Sequence, residues 1–252
     1  MLLIIALFFL IAFIYASVGF GGGSSYIAVL ALFAYEPQLI KSTALLCNIV
    51  VVSSGTYLFW QKDELPFTKI LPLIIASISM AYLGAHYKMS DKTYFLLLGI
   101  SLILAAILLF FQNKNEYSVK KDTINFKNQS IAALLNVILG AGIGFFSGLV
   151  GIGGGIFLSP ILNFVRWDST RKIAATASFF ILVNSISGIL GQSKNFIQNI
   201  DYQFIIPLLL AVFVGGQLGS RLSFLRFDAV LIKRTTAFLV LFAGVEIIFK
   251  NW

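Results

Sequence analysis

The chain has 252 residues, 59% hydrophobic and only 11% charged, with a mean hydropathy of +0.94 and a net charge of +8. Soluble domains carry about 25% charged residues, and apolar runs of roughly 20 residues recur here along the whole length, which excludes one large soluble core. The positive excess lies in short loops, so it fits orientation beside an anionic lipid surface and excludes a clustered nucleic-acid patch. Cys47 is the single cysteine and sits in an apolar run, so no disulfide framework exists.

The first apolar run covers about residues 2–35 and is interrupted by Val18-Gly19-Phe20-Gly21-Gly22-Gly23. Its first ten residues hold no Lys or Arg and the run continues past any cleavage site, so a cleavable signal peptide is not expected. Further runs follow at 42–60, 67–87 and 93–111. Residues 112–129 form the one long polar segment, with Lys114, Glu116, Lys120, Lys121, Asp122 and Lys127. The fifth run, 130–165, contains a second break, Val150-Gly151-Ile152-Gly153-Gly154-Gly155. Runs at 173–191, 202–222 and up to about 249 complete the chain, with Arg221, Arg226, Asp228, Lys233 and Arg234 around the last turn.

The two halves match beyond these glycines, which repeat at an offset of 132. Thr43-Ala44 and Ser54-Gly55 recur as Thr176-Ala177 and Ser187-Gly188, and Pro72 with Leu83-Gly84-Ala85 recurs as Pro207 with Leu218-Gly219-Ser220. A near-constant spacing over three segments marks an internal duplication. The division is a first repeat at 1–111, a cytoplasmic linker at 112–129 and a second repeat at 130–252.

Loop charges address orientation. If each glycine-broken run crosses once, the eighteen Lys and Arg divide eight to ten. If each is a re-entrant hairpin, they divide five to thirteen, with the linker on the rich side. Cytoplasmic loops carry the excess. The expected fold is therefore an all-α polytopic membrane protein with two homologous four-segment halves. They are inverted, and their broken first segments are re-entrant hairpins meeting near the midplane. Both termini are expected outside the cytoplasm, and the plasma membrane is the expected location.

Four glycines in six residues break a helix, and irregular backbone survives at membrane depth only inside protein or along a polar cavity. Paired breaks in corresponding positions point to a transporter's substrate site. Helices restarting after Gly21-Gly22-Gly23 and Gly153-Gly154-Gly155 present unpaired N–H groups and a positive partial charge, which attract anions. Ser24 and Ser25 add hydroxyls after the first break, whereas Ile156 and Phe157 follow the second. Around them we expect Thr43, Asn48, Ser53 and Ser54 from the second run and Thr176, Ser178, Asn184 and Ser187 from the sixth, with Gln217 and Asn136 as further candidates.

Small residues in membrane helices also serve close packing, and Gly140, Gly144 and Gly148 are assigned that role. Glu246, the one acid within an apolar run, stands four residues before Lys250 and is expected to pair with it. His86 and Arg221 fall at corresponding run ends, as interfacial anchors.

V-G-x-G-G-G twice, the second copy followed by Pro160, with a T-A…S-G helix after each and an L-G-[AS] helix after that, resembles the sulfite exporter TauE/SafE family of membrane permeases. The likeness covers nearly the whole chain. It implies a bacterial-type plasma-membrane carrier of small sulfur-containing anions such as sulfite, sulfonates or sulfoacetate. The first repeat lacks a counterpart of Pro160, so the half-sites differ in shape.

An anion channel or a carrier of small carboxylates are the rival readings. An intramembrane enzyme is not expected, because Ser147-Gly148 stands in a G-x-x-S-G context, the only histidine is His86, and no His, Cys or acid cluster could hold a metal. No cofactor is expected. The expected partners are a small anion and membrane lipids, with a homodimer allowed.

Overall fold

The computed structural model describes residues 1–17, 19–110, 129–196, 201–222 and 229–251. Val18, linker residues 112–128, Arg226 and Asp228 lie outside them. The described residues form α-helices and no strand: α1 (Leu2–Ser17), α2 (Gly23–Leu32), α3 (Pro37–Gln61), α4 (Phe67–His86), α5 (Asp91–Phe110), α6 (Gln129–Val150), α7 (Gly155–Phe164), α8 (Thr170–Phe196), α9 (Tyr202–Leu222) and α10 (Ala229–Asn251). In order and approximate length, α1–α5 match α6–α10.

Six of these, α3, α4, α5, α6, α8 and α9, are long and apolar enough to cross a membrane. The ten-residue α2 and α7 extend about 15 Å at 1.5 Å per residue, half of a ~30 Å hydrocarbon core. Large apolar side chains turn outward as well as inward across the bundle. Leu104, Phe110, Leu134 and Phe238 are exposed, as a lipid-facing surface requires and a water-facing one does not tolerate in patches.

Glycine sets the tightest packing. A Cβ at Gly140, Gly144 or Gly148 of α6 would run into the carbonyl oxygens of Leu73, Ser77 and Ala81 on α4, so the two backbones touch. Gly215 and Gly219 of α9 meet the carbonyls of Phe9 and Phe13 on α1 in the same way. This is the packing role expected for the α6 glycines, and it follows the rule that small residues let membrane helices approach. The partners are exchanged between halves: α1 packs on α9, whereas its counterpart α6 packs on α4. Two other pairs, α3 with α8 and α5 with α10, join a helix to its own counterpart.

The contacts also give directions. Along α4 and α6 the touching residues rise together, 73 with 140 and 81 with 148, so these helices run parallel. Along α4 and α8 they do so again, Ile78 with Ser187 and Tyr82 with Gly191. Since α6 and α8 both run with α4, the short α7 and its flanks must return the chain towards the end where α6 began. In contrast, α3 and α8 are antiparallel, with Ser42 against Gln192, Leu45 against Gly188 and Thr56 against Ser178.

Candidate functional site

Each break is a helix stop followed at once by a helix start. At the first, Gly19 (φ 81°) takes the left-handed conformation. Its amide reaches the Ala16 carbonyl at 3.2 Å and the Phe20 amide reaches Tyr15 at 2.9 Å. This is the paired bonding that closes a helix on a left-handed residue. At the second, Gly151 (φ 87°) bonds only to Ser147, at 2.8 Å. The new helices start from Gly22 (φ 82°) and Gly154 (φ 78°), again left-handed, where glycine alone avoids the steric cost.

Neither start has a side-chain cap. Ser25 and Tyr26 donate back to the Gly22 carbonyl at 2.9 and 3.0 Å, but the Gly23 and Ser24 amides reach no backbone acceptor. At the second start Phe157 and Leu158 donate to Gly154 at 3.1 Å, and the Gly155 and Ile156 amides are left in the same state. Four free donors at two positive helix ends make a concentrated anion-binding potential in a low-dielectric interior.

The two breaks meet, and Asn48 of α3 is wedged between them. A Cβ at Gly21 would stand 2.5 Å from Asn48 Oδ1, and one at Gly153 would stand 2.6 Å from its Nδ2. A Cβ at Gly23 would stand 2.5 Å from the Ile152 carbonyl of the other break. Asn48 Nδ2 donates to that carbonyl at 3.1 Å, joining α3 of the first half to the second break. Beside this junction lies a cavity of about 40 Å³, room for roughly three water molecules. Gly21, Gly22, Gly23, Ser24 and Asn48 line it from the first half, and Ile152, Gly155, Ile156 and Ile181 from the second. Tyr15, Phe20, Leu109 and Thr236 close its walls.

The remaining expected residues fall at several distances from this cavity. Gly153 and Gly154 pack behind it, against Asn48 and against Phe180. Ser25 does not line the cavity but bonds to the wall residue Tyr15, with 2.6 Å between the hydroxyls. Thr43 and Thr176, at matched positions, are fully buried with hydroxyls that reach no partner. Asn184 is buried and donates to its own helix at the Phe180 carbonyl, 2.8 Å away. Ser53 and Ser54 bond back into α3, and Ser178 accepts from Thr56 at 3.3 Å. Ser187 donates to the Ile78 carbonyl at 2.6 Å, tying α8 to α4, and Gln217 lies on α9 outside the cavity wall.

Tyr15, Thr236, Leu109 and Ile181 line the cavity without having been singled out from the sequence. Tyr15 offered a signal, as a hydroxyl in an apolar helix four residues before the break. Thr236 offered none, because only the folded chain brings α10 against α2.

Charged groups stand at the ends. Lys41 lies two turns before Asn48 on the same face of α3. Its stem packs against Gly151 and its ammonium sits 4.5 Å from the centre of the Tyr94 ring, whose hydroxyl donates to the Val150 carbonyl at 3.3 Å. At the opposite end Lys69 lies over the Trp167 ring at 4.1 Å and pairs with Asp168 at 2.9 Å. Trp167 Nε1 donates to Asn136 Oδ1, and Asn136 Nδ2 donates to the Lys69 carbonyl, both at 3.2 Å. Asn136 therefore belongs to this network and not to the cavity. Burial works against the Asp168 charge, but the Lys69 hydrogen bond, the Ser169 amide and nearby Lys172 hold its carboxyl below the usual carboxylate range. Glu246 and Lys250 pair at 2.7 Å, as their spacing predicts. Among the described residues no cluster of His, Cys, Asp or Glu could hold a metal ion.

Comparison with known proteins agrees with this architecture. The family described as "Sulfite exporter TauE/SafE" matches residues 4–247. A probable membrane transporter protein, y4hK of Sinorhizobium fredii, is 32% identical over 96% of this chain and 95% of its own length. The probable membrane transporter protein YjnA of Bacillus subtilis is 23% identical over 91% of this chain and 92% of its own length. The probable membrane transporter protein MamO of Magnetospirillum gryphiswaldense is 26% identical over 80% of this chain, which spans 38% of that longer relative. No solved structure matches significantly. Six helices long and apolar enough to cross a membrane among the described residues, two facing helix starts and a match over nearly the whole length place the chain, a multi-pass membrane transporter, in the sulfite exporter TauE/SafE family.

Proposed function

We propose that this transporter is a secondary carrier of a small anion, sulfite, a sulfonate or a related organosulfur anion, which binds where the two breaks meet. The observation that carries the reading is the convergence of two uncapped helix starts, one from each half, on one cavity beside Asn48. Half-helix N-termini at the repeat interface suit anionic substrate groups. A site walled by both halves suits alternating access, since rocking one half against the other opens it to each side in turn. The family description supports a sulfur oxyanion as cargo.

Inverted halves are the arrangement that the helix directions support. The helix α8 runs against its counterpart α3, and the return of the chain through α7 suits a re-entrant hairpin. On this reading both termini share one face of the plasma membrane, and the linker 112–129 lies in the cytoplasm with most of the Lys and Arg. A cysteine introduced as Val119→Cys should then be labelled only from the cytoplasmic side; labelling from outside overturns the orientation.

The cargo is tested in proteoliposomes by uptake and efflux of sulfite, thiosulfate, sulfonates and small carboxylates. Saturable flux with counter-exchange of a sulfur oxyanion is expected. Linear, non-saturating conductance contradicts a carrier and favours a channel, and exchange confined to carboxylates contradicts the cargo.

A further inference from the structure

The most constrained polar group at the junction is the side chain of Asn48. It is fully buried and lines the cavity. Its Nδ2 donates to the Ile152 carbonyl at 3.1 Å. A carbonyl oxygen can only accept, so the NH₂ end of the amide must face Ile152; the flipped amide would set two oxygens against each other. The opposite end is thereby fixed. Oδ1 lies against Gly21, with Gly23 beside the amide, both residues of the first break that wall the cavity, and it accepts no hydrogen bond from any described residue. Neither glycine has a side chain to offer. The nearby Ser185 hydroxyl, beside Gly153, has no partner of its own and does not reach Oδ1.

The junction therefore presents two opposite demands within one small space. The Gly23, Ser24, Gly155 and Ile156 amides want negative oxygen. Asn48 Oδ1, a rigid acceptor, wants a donor and repels negative oxygen. An anion with no hydrogen of its own can meet only the first demand and leaves a buried acceptor unpaired, the condition under which sites reject a ligand most strongly. An anion that also carries an O–H or N–H meets both. The counterpart of Asn48 in the second half is Ile181, so the cavity holds this fixed amide acceptor on one side only, and one ligand donor is enough.

We infer that the site selects monoanions that bring their own hydrogen-bond donor, such as hydrogensulfite or an amino- or hydroxy-substituted sulfonate, and that Asn48 Oδ1 enforces the choice. This rests on the anion site proposed above and adds its specificity. Asn48 acts here as a binding residue; Ile152 and the glycines position it.

Sulfamate and methanesulfonate test the inference directly. Both are monoanions at neutral pH with the same number of heavy atoms and the same tetrahedral shape, but only sulfamate carries N–H donors. Calorimetric titration of the intact protein in nanodiscs should give a dissociation constant about tenfold or more lower for sulfamate. In Asn48→Leu the two constants should converge, because sulfamate loses its acceptor and methanesulfonate no longer meets an unpaired oxygen. Should Asn48→Leu fail to fold, Asn48→Ala, which leaves space and no clash, carries the same expectation. Equal affinities in the wild type overturn the inference and leave the anion site standing. A sulfamate preference that survives in either variant overturns the assignment to Asn48. If neither probe nor sulfite binds the wild type, the anion site itself fails, and the inference with it.

Discussion

The two halves supply the junction with the same backbone and with different side chains. Gly22 and Gly154 hold nearly the same left-handed conformation, φ 82° and 78°, and each starts a ten-residue helix without a cap. Around that frame the counterparts diverge. Asn48 faces the breaks in the first half, where the second has Ile181. The stem of Lys41 covers Gly151, where Ala174 stands 3.8 Å from a Cβ at Gly19. The rings of Tyr35 and Phe204 meet at 4.9 Å between centres, whereas their counterparts Trp167 and Lys69, at the opposite end, add a charge and recruit Asp168. What the two halves share is main-chain geometry, a pair of uncapped helix starts. The side-chain amide at the junction is one-sided; on the function proposed above, anion attraction is shared by the halves and discrimination comes from one.

The largest expected effect tests the shared part. Gly22→Val and Gly154→Val each force a β-branched residue into left-handed backbone, a strain of about 1–3 kcal/mol. At Gly154 the added Cβ would also stand 2.7 Å from the Phe180 ring. Both variants should reach the membrane and show no sulfite flux in proteoliposomes. Wild-type flux in either one breaks the equivalence of the two breaks.

Packing comes next. Gly148→Ala drives a methyl into the Ala81 carbonyl and should cost about 1–3 kcal/mol in unfolding experiments. The matched position on α1 is Ala16, which already carries that methyl. A Gly148→Ala variant as stable as the wild type would show that α6 and α4 tolerate the looser spacing.

A smaller effect tests the one-sided part. Lys41→Met keeps the stem over Gly151 and removes the charge. Sulfite KM should rise several-fold at low ionic strength, and the difference should shrink in high salt as screening replaces it. An unchanged KM at low salt removes Lys41 from the anion's approach.

The smallest effect concerns the Lys69–Asp168 pair, which is partly exposed, with 40% and 17% of the two side chains accessible. Its coupling in a double-mutant cycle should be no more than about 1 kcal/mol. The Asp168 carboxyl lies below its usual range, so it contributes stability above the unfolded-state pKa and loses it as pH falls through the folded one. The stability gap between wild type and Asp168→Asn should therefore close on acidification; a gap that widens in acid contradicts the pairing.

Much of this was legible in the residues. The glycine runs announced helix starts just after the breaks because a run of glycines interrupts a helix, and the starts fall at Gly23 and Gly155. The α6 glycines announced a close helix contact, and Glu246 and Lys250 announced a pair by spacing alone. Which polar residues converge was not legible. Thr43, Asn48 and Ser54 share one helix, yet only Asn48 reaches the cavity, because the second break packs at its level on α3. Thr236, Leu109 and Ile181 come from α10, α5 and α8, and their arrival depends on an exchange of partners between halves that no local pattern encodes. Ser187, a candidate by repetition, ties α8 to α4 through the Ile78 carbonyl, a contact between helices that its own sequence neighbourhood does not encode.

Selenite, a heavier analogue of sulfite, gives the most direct view of the junction. Anomalous diffraction from crystals soaked in selenite should place a selenium peak in the cavity, with its oxygens ~3 Å from the Gly23, Ser24, Gly155 or Ile156 amides. An ordered selenite bound elsewhere in the membrane region, with none between the two breaks, would contradict the account.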